Sequence, residues 1–319
     1  MLWGGGRARI KVSGEAIGAA GRARGVRKKQ GGWSSLLGFL QFGANSDPGA
    51  PRLPFYRHAL LVRITHWLNA GVLLVMLMSG LQIFNAHPAL YWGAQSDFTH
   101  PLLSFSAFQN SLGQIDRGVT QLGPWHFDTT GVLGASWLDG TLLARAFPAW
   151  ATLPGPQWLA MGRVWHFFFA WLFVINGGIF AFYALTRGHI RDLTPTARDI
   201  RALPHDIMQH AKLRFPKGEA AKRYNALQKL AYFTVVFVLG PLVVLTGLTM
   251  SPTMDAAFPF LPWIFDGRQS ARTIHFICAF SFLGFFMVHI IMVVLSGTWN
   301  NIRSMITGRY LIEAGGEDV

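Results

Sequence analysis

The sequence predicts an all-α integral membrane protein, a four-helix bundle, and three observations carry that prediction. Of its 319 residues 51% are hydrophobic and only 13% are charged, about half the charge of an ordinary soluble domain. Four apolar runs reach the roughly 20 residues that a spanning helix needs. The remaining Lys and Arg gather on alternate connections between those runs.

Taken in order, residues 1–50 form a basic tail of Gly, Ala, Arg and Lys without apolar periodicity, which cannot bury enough surface to order itself. Its run Arg22–Lys29 suits anionic headgroups, and Trp33–Phe42 is too short to span. Residues 51–319 make the membrane domain. Its apolar runs are Ile64–Phe84, Val164–Leu185, Leu230–Met250 and Ile274–Leu295, which predict helices over about 58–85, 162–186, 228–250 and 272–296. Residues 86–161, rich in Trp, Pro, Gly and Phe, are too many for a simple loop. They are expected to fold as a periplasmic cap over the outer helix ends. Phe258–Phe265, broken by Pro259 and Pro262, is expected to be a loop lying against the interface.

Charge sets the expected orientation. Residues 1–57 and 186–229 hold ten Lys/Arg each, whereas 86–163 and 251–272 hold three and two. Lys and Arg accumulate on the cytoplasmic side, so both termini are expected there. The long segment between helices 1 and 2 then faces the periplasm. The lipid bilayer is the expected surroundings, and no nucleic-acid partner is expected.

The single cysteine, Cys278, excludes an internal disulfide framework, an all-cysteine zinc site and a cysteine-ligated iron–sulfur cluster. The absence of a Cys-x-x-Cys-His run excludes covalent c-type haem. Histidine is more informative. Four of the eleven lie in the apolar runs or at their edges: His66, His166, His275 and His289. Ionisable groups there are rare and usually functional. His275 and His289 are 14 residues apart, which returns them to within about 40° of one helix face, about 21 Å apart along the axis. The alternating topology puts His166 at the level of His275 and His66 at the level of His289. Two stacked bis-His sites, outer His166/His275 and inner His66/His289, are what two non-covalent b-type haems need. Zinc would want three or four ligands converging on one point. A proton relay would normally use Asp or Glu, and the four runs contain none.

Arginine precedes three of these histidines by three residues: Arg63, Arg163 and Arg272. That spacing shares a helical face, and a guanidinium binds a carboxylate in bidentate fashion, so all three are candidates for the haem propionates. Snorkelling at a membrane edge is the plainer use, and it suits Arg63 best.

These residues resemble the diheme cytochrome b membrane subunits of bacterial respiratory oxidoreductases, which include those of formate dehydrogenase and nickel–iron hydrogenase. The likeness is nearest to the thiosulfate reductase cytochrome b type, through Arg63-Ile-Thr-His66-Trp67-Leu68-Asn69, His87-Pro88-Ala89-Leu90-Tyr91-Trp92-Gly93 and Trp165-His166-Phe167-Phe168. It covers residues 55 to about 310. The resemblance implies that His66, His166, His275 and His289 are the haem-iron ligands. It also implies an inner-membrane subunit passing electrons between the quinone pool and a periplasmic oxidoreductase, with no catalysis on this chain alone. A quinone site near the inner haem would have His58 and His189 in its vicinity. Two other readings stay open: a stand-alone diheme oxidoreductase, of the kind that passes electrons from superoxide to quinone, and a haem-free transporter or anchor.

Overall fold

The computed structural model describes residues 52–155, 157–214 and 224–313. The expected basic tail and the run Trp33–Phe42 lie outside them. Among the described residues four helices are long and apolar enough to cross a membrane: α1 (Leu60–Phe84), α2 (Leu159–Thr186), α5 (Ala226–Thr249) and α8 (Arg268–Leu295). Each falls within a few residues of its expected bounds. Much of their surface stays exposed, including Trp171, Ile179 and Phe182 on α2, as suits helices solvated by lipid.

Proline chemistry ends or distorts these helices. Helix α1 stops just before His87-Pro88, where the residue ahead of a proline is pushed out of the helical region. In α5 the proline is internal. Pro241 has no N–H and its ring crowds the carbonyl one turn back, and Thr234–Leu239, immediately upstream, widens into a π-helical turn. Asn225 caps α5 in a reciprocal box with Gln228.

The bundle is two helix pairs, α1 along α2 and α5 along α8. At one end lies the segment between α1 and α2, here called the cap. The expectation of an all-α chain fails in this segment. Strands β2 (Ala89–Leu90), β3 (Leu103–Gln109), β4 (Ile115–Leu122) and β5 (Trp125–Asp128) form an antiparallel sheet in that order, and β6 (Ala135–Leu138) pairs with β7 (Thr141–Ala144). The β3–β4 turn is set by Asn110, whose Oδ1 accepts from Leu112 N at 2.9 Å and Gln114 N at 3.0 Å.

The cap is fused to the bundle. Its core of Leu90, Phe105, Ala146 and Phe147 packs on Phe84 of α1, with Leu81 and Phe276 alongside. Hydrogen bonds staple α8 to the same region: Thr273 Oγ1 donates to Tyr91 O at 2.6 Å and Gly93 N donates to Ser270 Oγ at 2.6 Å. Gly267 opens α8 at φ +105°, and a Cβ there would meet Ala94 Cα at 2.5 Å. Only glycine fits that approach.

The opposite end carries the connections that the charge count singled out. Helices α3 (Ile190–Leu193) and α4 (Ala197–Ala211) follow α2. Asp199 closes a capping box on Thr196 and meets Lys229 Nζ of α5 at 3.1 Å. Back at the cap end, Phe258–Phe265 is not the expected loop. A short helix, α7 (Phe260–Ile264), forms within it, and another, α6 (Pro252–Ala257), directly precedes it, each beginning at or just after a proline with its φ already set for a helix. After α8, α9 (Thr298–Thr307) leads into β8 (Arg309–Glu313), which pairs antiparallel with β1 (Arg52–Tyr56). This is the tail end.

Candidate functional site

The four singled-out histidines meet in two pairs. At the tail end His66 of α1 faces His289 of α8, with ring centroids 6.1 Å apart. At the cap end His166 of α2 faces His275 of α8 at 6.2 Å. Imidazoles that ligate one metal from opposite sides at about 2 Å per nitrogen have centroids about 6 Å apart. Both separations fit that arrangement. The pairing matches the one expected from the spacing along α8.

The cap-end imidazoles are held by a repeated device. His166 Nδ1 lies 3.1 Å from Met76 O and 3.2 Å from Ser79 Oγ of α1. His275 Nδ1 lies 2.9 Å from Val243 O and 3.2 Å from Thr246 Oγ1 of α5. Each hydroxyl spends its own proton on the carbonyl four residues back, Val75 O and Leu242 O, at 2.7 Å. Each imidazole therefore donates from Nδ1, which leaves Nε2 unprotonated and free to ligate. A glycine follows each hydroxyl. A Cβ at Gly80 would lie 3.3 Å from His166 Cε1, and one at Gly247 would lie 3.3 Å from His275 Cε1. The sequence shows no repeat between helices 1–2 and 3–4, yet the two cradles use the same contacts.

The tail-end pair is held differently. His66 meets Trp67 edge-on at 5.4 Å, and Phe285 stacks on His289 at 5.8 Å and 18°. Among the described residues, His66 Nδ1 is buried with no hydrogen-bond partner. Beside the tail-end pair an Asn clamp ties α1 to α2: Asn176 Nδ2 donates to Thr65 O at 2.9 Å and to Asn69 Oδ1 at 2.7 Å. Among the described residues no three His, Cys, Asp or Glu side chains gather as a metal site. The donor set suits a cofactor taking one imidazole on each face.

The three arginines have different surroundings. Arg272, on the cap side of His275, donates to His87 O and lies 5.2 Å over the Phe84 ring. Arg163 is exposed, 5.8 Å over Phe167. Arg63 donates to Ile306 O while its buried Nε has no partner among the described residues, and Trp67 Nε1 reaches Met305 O at 3.1 Å. The Arg63–Trp67 turn of α1 thus satisfies carbonyls at the end of α9.

His58 sits between β1 and α1. Burial first, then the Arg57 guanidinium and the nearby His66 and His189 imidazoles, hold it down at about 4. His189 bonds Asp192 Oδ2 at 3.3 Å and lies against Tyr183 at 6.2 Å. On the same stretch of α2 a groove of about 740 Å³ opens between Leu61, Ile179, Phe182, Tyr183, Thr186 and Arg187. It is apolar along its walls and polar at one end. Sequence reasoning missed the groove and both cradles. Asn69 and Asn176 carried a signal, being amides inside apolar runs.

A model of the prokaryotic cytochrome b561 family matches residues 57–308, which include both histidine pairs. The chain belongs to the prokaryotic cytochrome b561 family. Membership makes it a multi-pass bacterial membrane protein of the b-type haem class, as the resemblance implied. A relative from Azospira oryzae, named as a putative protein-methionine-sulfoxide reductase subunit YedZ1, is 25% identical over 240 residues, covering 75% of this chain and 90% of its own. No solved structure matches. The matched span runs from before α1 to the end of α9 and so brackets the β-rich cap.

Proposed function

We propose that this cytochrome b binds two b-type haems, one between His66 and His289 and one between His166 and His275. On this reading it carries electrons between the membrane quinone pool and a periplasmic oxidoreductase. The observation behind the proposal is the two facing imidazole pairs at two levels of one bundle, 6.1 and 6.2 Å between centroids. Such haems, held by these four histidines, would supply one-electron transfer. The cradles of Met76, Ser79, Val243 and Thr246 fix tautomer and ring orientation at the cap end. Arg272, Arg163 and Arg63 are the helix-borne candidates for the propionates, and Arg272 is the best placed of them.

The Lys/Arg distribution supports an inner-membrane orientation with the cap periplasmic and the tail end cytoplasmic. A quinone would then be taken up at the tail end. There the groove beside Tyr183 offers apolar walls for its tail, and His58 and His189 offer polar groups near His66. The name of the Azospira relative, a reductase subunit, supports a separate oxidoreductase chain as the partner.

A reduced-minus-oxidised spectrum of the detergent-purified protein, with haem counted per polypeptide as the pyridine haemochrome, tests this. Two b haems per chain, reducible by a quinol analogue, are expected. A well-folded preparation without haem would overturn the reading.

A further inference from the structure

The cap buries an arginine without a counter-charge. Arg145, directly after β7, is 2% exposed. Among the described residues its side chain makes one hydrogen bond, from Nη2 to Thr152 Oγ1 at 3.1 Å, while Nε and Nη1 are buried with no acceptor. Among the same residues no carboxylate pairs with it. Burial pulls its guanidinium below the usual arginine range. A cation enclosed with two idle donors is costly unless an anion completes the site.

Its position says which anion. Two residues on, Phe147 N donates to Asn85 Oδ1 at 2.8 Å, and the Phe147 ring packs on Phe84 at 5.8 Å and on Phe280 of α8 at 6.4 Å. Beyond Thr152, Leu153 N donates to Met78 O at 3.3 Å, next to the Ser79 that holds His166. The stretch carrying Arg145 and Thr152 is thus pinned at both ends to the last turns of α1, on the cap side of the His166/His275 pair. A second idle group flanks the same pair. Gln82, 1% exposed, has neither amide atom bonded among the described residues. It lies one turn beyond Ser79, close against Gly162 of α2, one turn before His166.

We propose that Arg145 of the cap, with Gln82 as a second donor, binds a propionate carboxylate of the haem held between His166 and His275. This rests on the diheme reading above and deepens it. A haem would bring two carboxylates, for which a guanidinium fork and an amide are matched donors. The cap is then part of the cofactor site as well as an outer surface, and the residue that closes the site lies outside the membrane helices.

The test is a potentiometric titration of both haems in detergent-purified full-length wild-type, R145Q and R145K proteins at several pH values, with haem per polypeptide counted. Removing a positive charge beside a haem disfavours adding an electron. R145Q should therefore lower the potential of one haem only and make it fall more steeply with pH, as the freed propionate titrates. R145K should restore most of the potential. The shifted haem must be the one that disappears in H275A. Unchanged potentials and pH slopes in R145Q with two haems bound, or a shift confined to the His66/His289 haem, would overturn the assignment. Should R145Q not fold, wild-type apoprotein is loaded with haem or its dimethyl ester. Weaker retention of the ester at the cap-end site is expected, and equal retention overturns the proposal. A wild-type protein lacking a cap-end haem would instead defeat the diheme reading itself.

Discussion

Ser79 and Thr246 occupy the same place in two different helix pairs, each hydroxyl 3.2 Å from the Nδ1 of a histidine on the neighbouring helix. Each is followed by a glycine that lets the imidazole approach. The tail-end pair has no such support, since His66 Nδ1 has no partner among the described residues. A hydrogen bond accepted from Nδ1 raises the basicity of the ligating nitrogen, so the two levels are tuned differently by their surroundings.

Weakening one cradle should show at one haem. In Ser79→Ala and Thr246→Val proteins the carbonyl bond remains, and each loses a contact worth about 1 kcal/mol. The cap-end potential should rise slightly, with haem content unchanged. Gly80→Ala and Gly247→Ala press a methyl on the ring, and should lower haem affinity at that level by about tenfold or more. Redox titration and haem retention on dilution read these outcomes, and equal effects on both haems would count against the cradle.

Removing a ligand should be local. His275→Ala leaves His66 and His289 untouched, so one low-spin b haem per chain should remain, and His289→Ala should leave the other. Low-temperature difference spectra distinguish the two survivors. A His275→Ala protein that kept both bis-His signatures would show that the pairing is wrong.

Filling the groove should affect the quinone and not the haems. Gly178 also lines the groove, and an added Cβ there meets nothing within 4 Å, so Gly178→Leu has room to start into the groove. A loss of about 1.4 kcal/mol in binding is a tenfold change. The KM for a short-chain quinol should rise by about that factor, with haem content and spectra unchanged. An unchanged KM places the quinone elsewhere.

His58 gives a pH dependence with a definite sign. Its folded value of about 4 lies below the ordinary 6.5, so the fold favours the neutral ring. Its contribution is complete above about pH 6.5 and is lost as the pH falls toward 4. The upper limit is about 3 kcal/mol, reduced by solvent screening of a half-buried group. Thermal unfolding should move to lower temperature across that window, and His58→Asn should flatten the trend. An identical slope in the variant would remove His58 as its source.

The spans and the histidine pairing were legible because both rest on long, simple regularities. Apolar length sets the helices, and a 14-residue spacing on α8 returns two imidazoles to one face. The cap was not legible as β structure. Strand β5 has all four residues exposed and β3 buries adjacent residues, Ser104 and Phe105, instead of alternating. Its strands therefore lack the period that marks a half-buried sheet. The cradles were hidden for another reason. Ser79 and Thr246 also bond their own helix backbone, as such residues commonly do. Only the packing of α1 on α2 and of α5 on α8 shows the second use. Arg145 was one of few positive charges in the segment between α1 and α2, and its sequence neighbours say nothing of its burial.

The widened turn Thr234–Leu239 has a genetic consequence. A helix that stores a surplus residue in a π turn can shed it there while the turns downstream keep their phase. A one-residue deletion inside this turn should leave Val243 and Thr246 aimed at His275. The same deletion a few positions later, between Gly240 and Thr246, would swing that hydroxyl about 100° around the axis. Length variation in the third span should therefore be tolerated on one side of Pro241 and refused on the other.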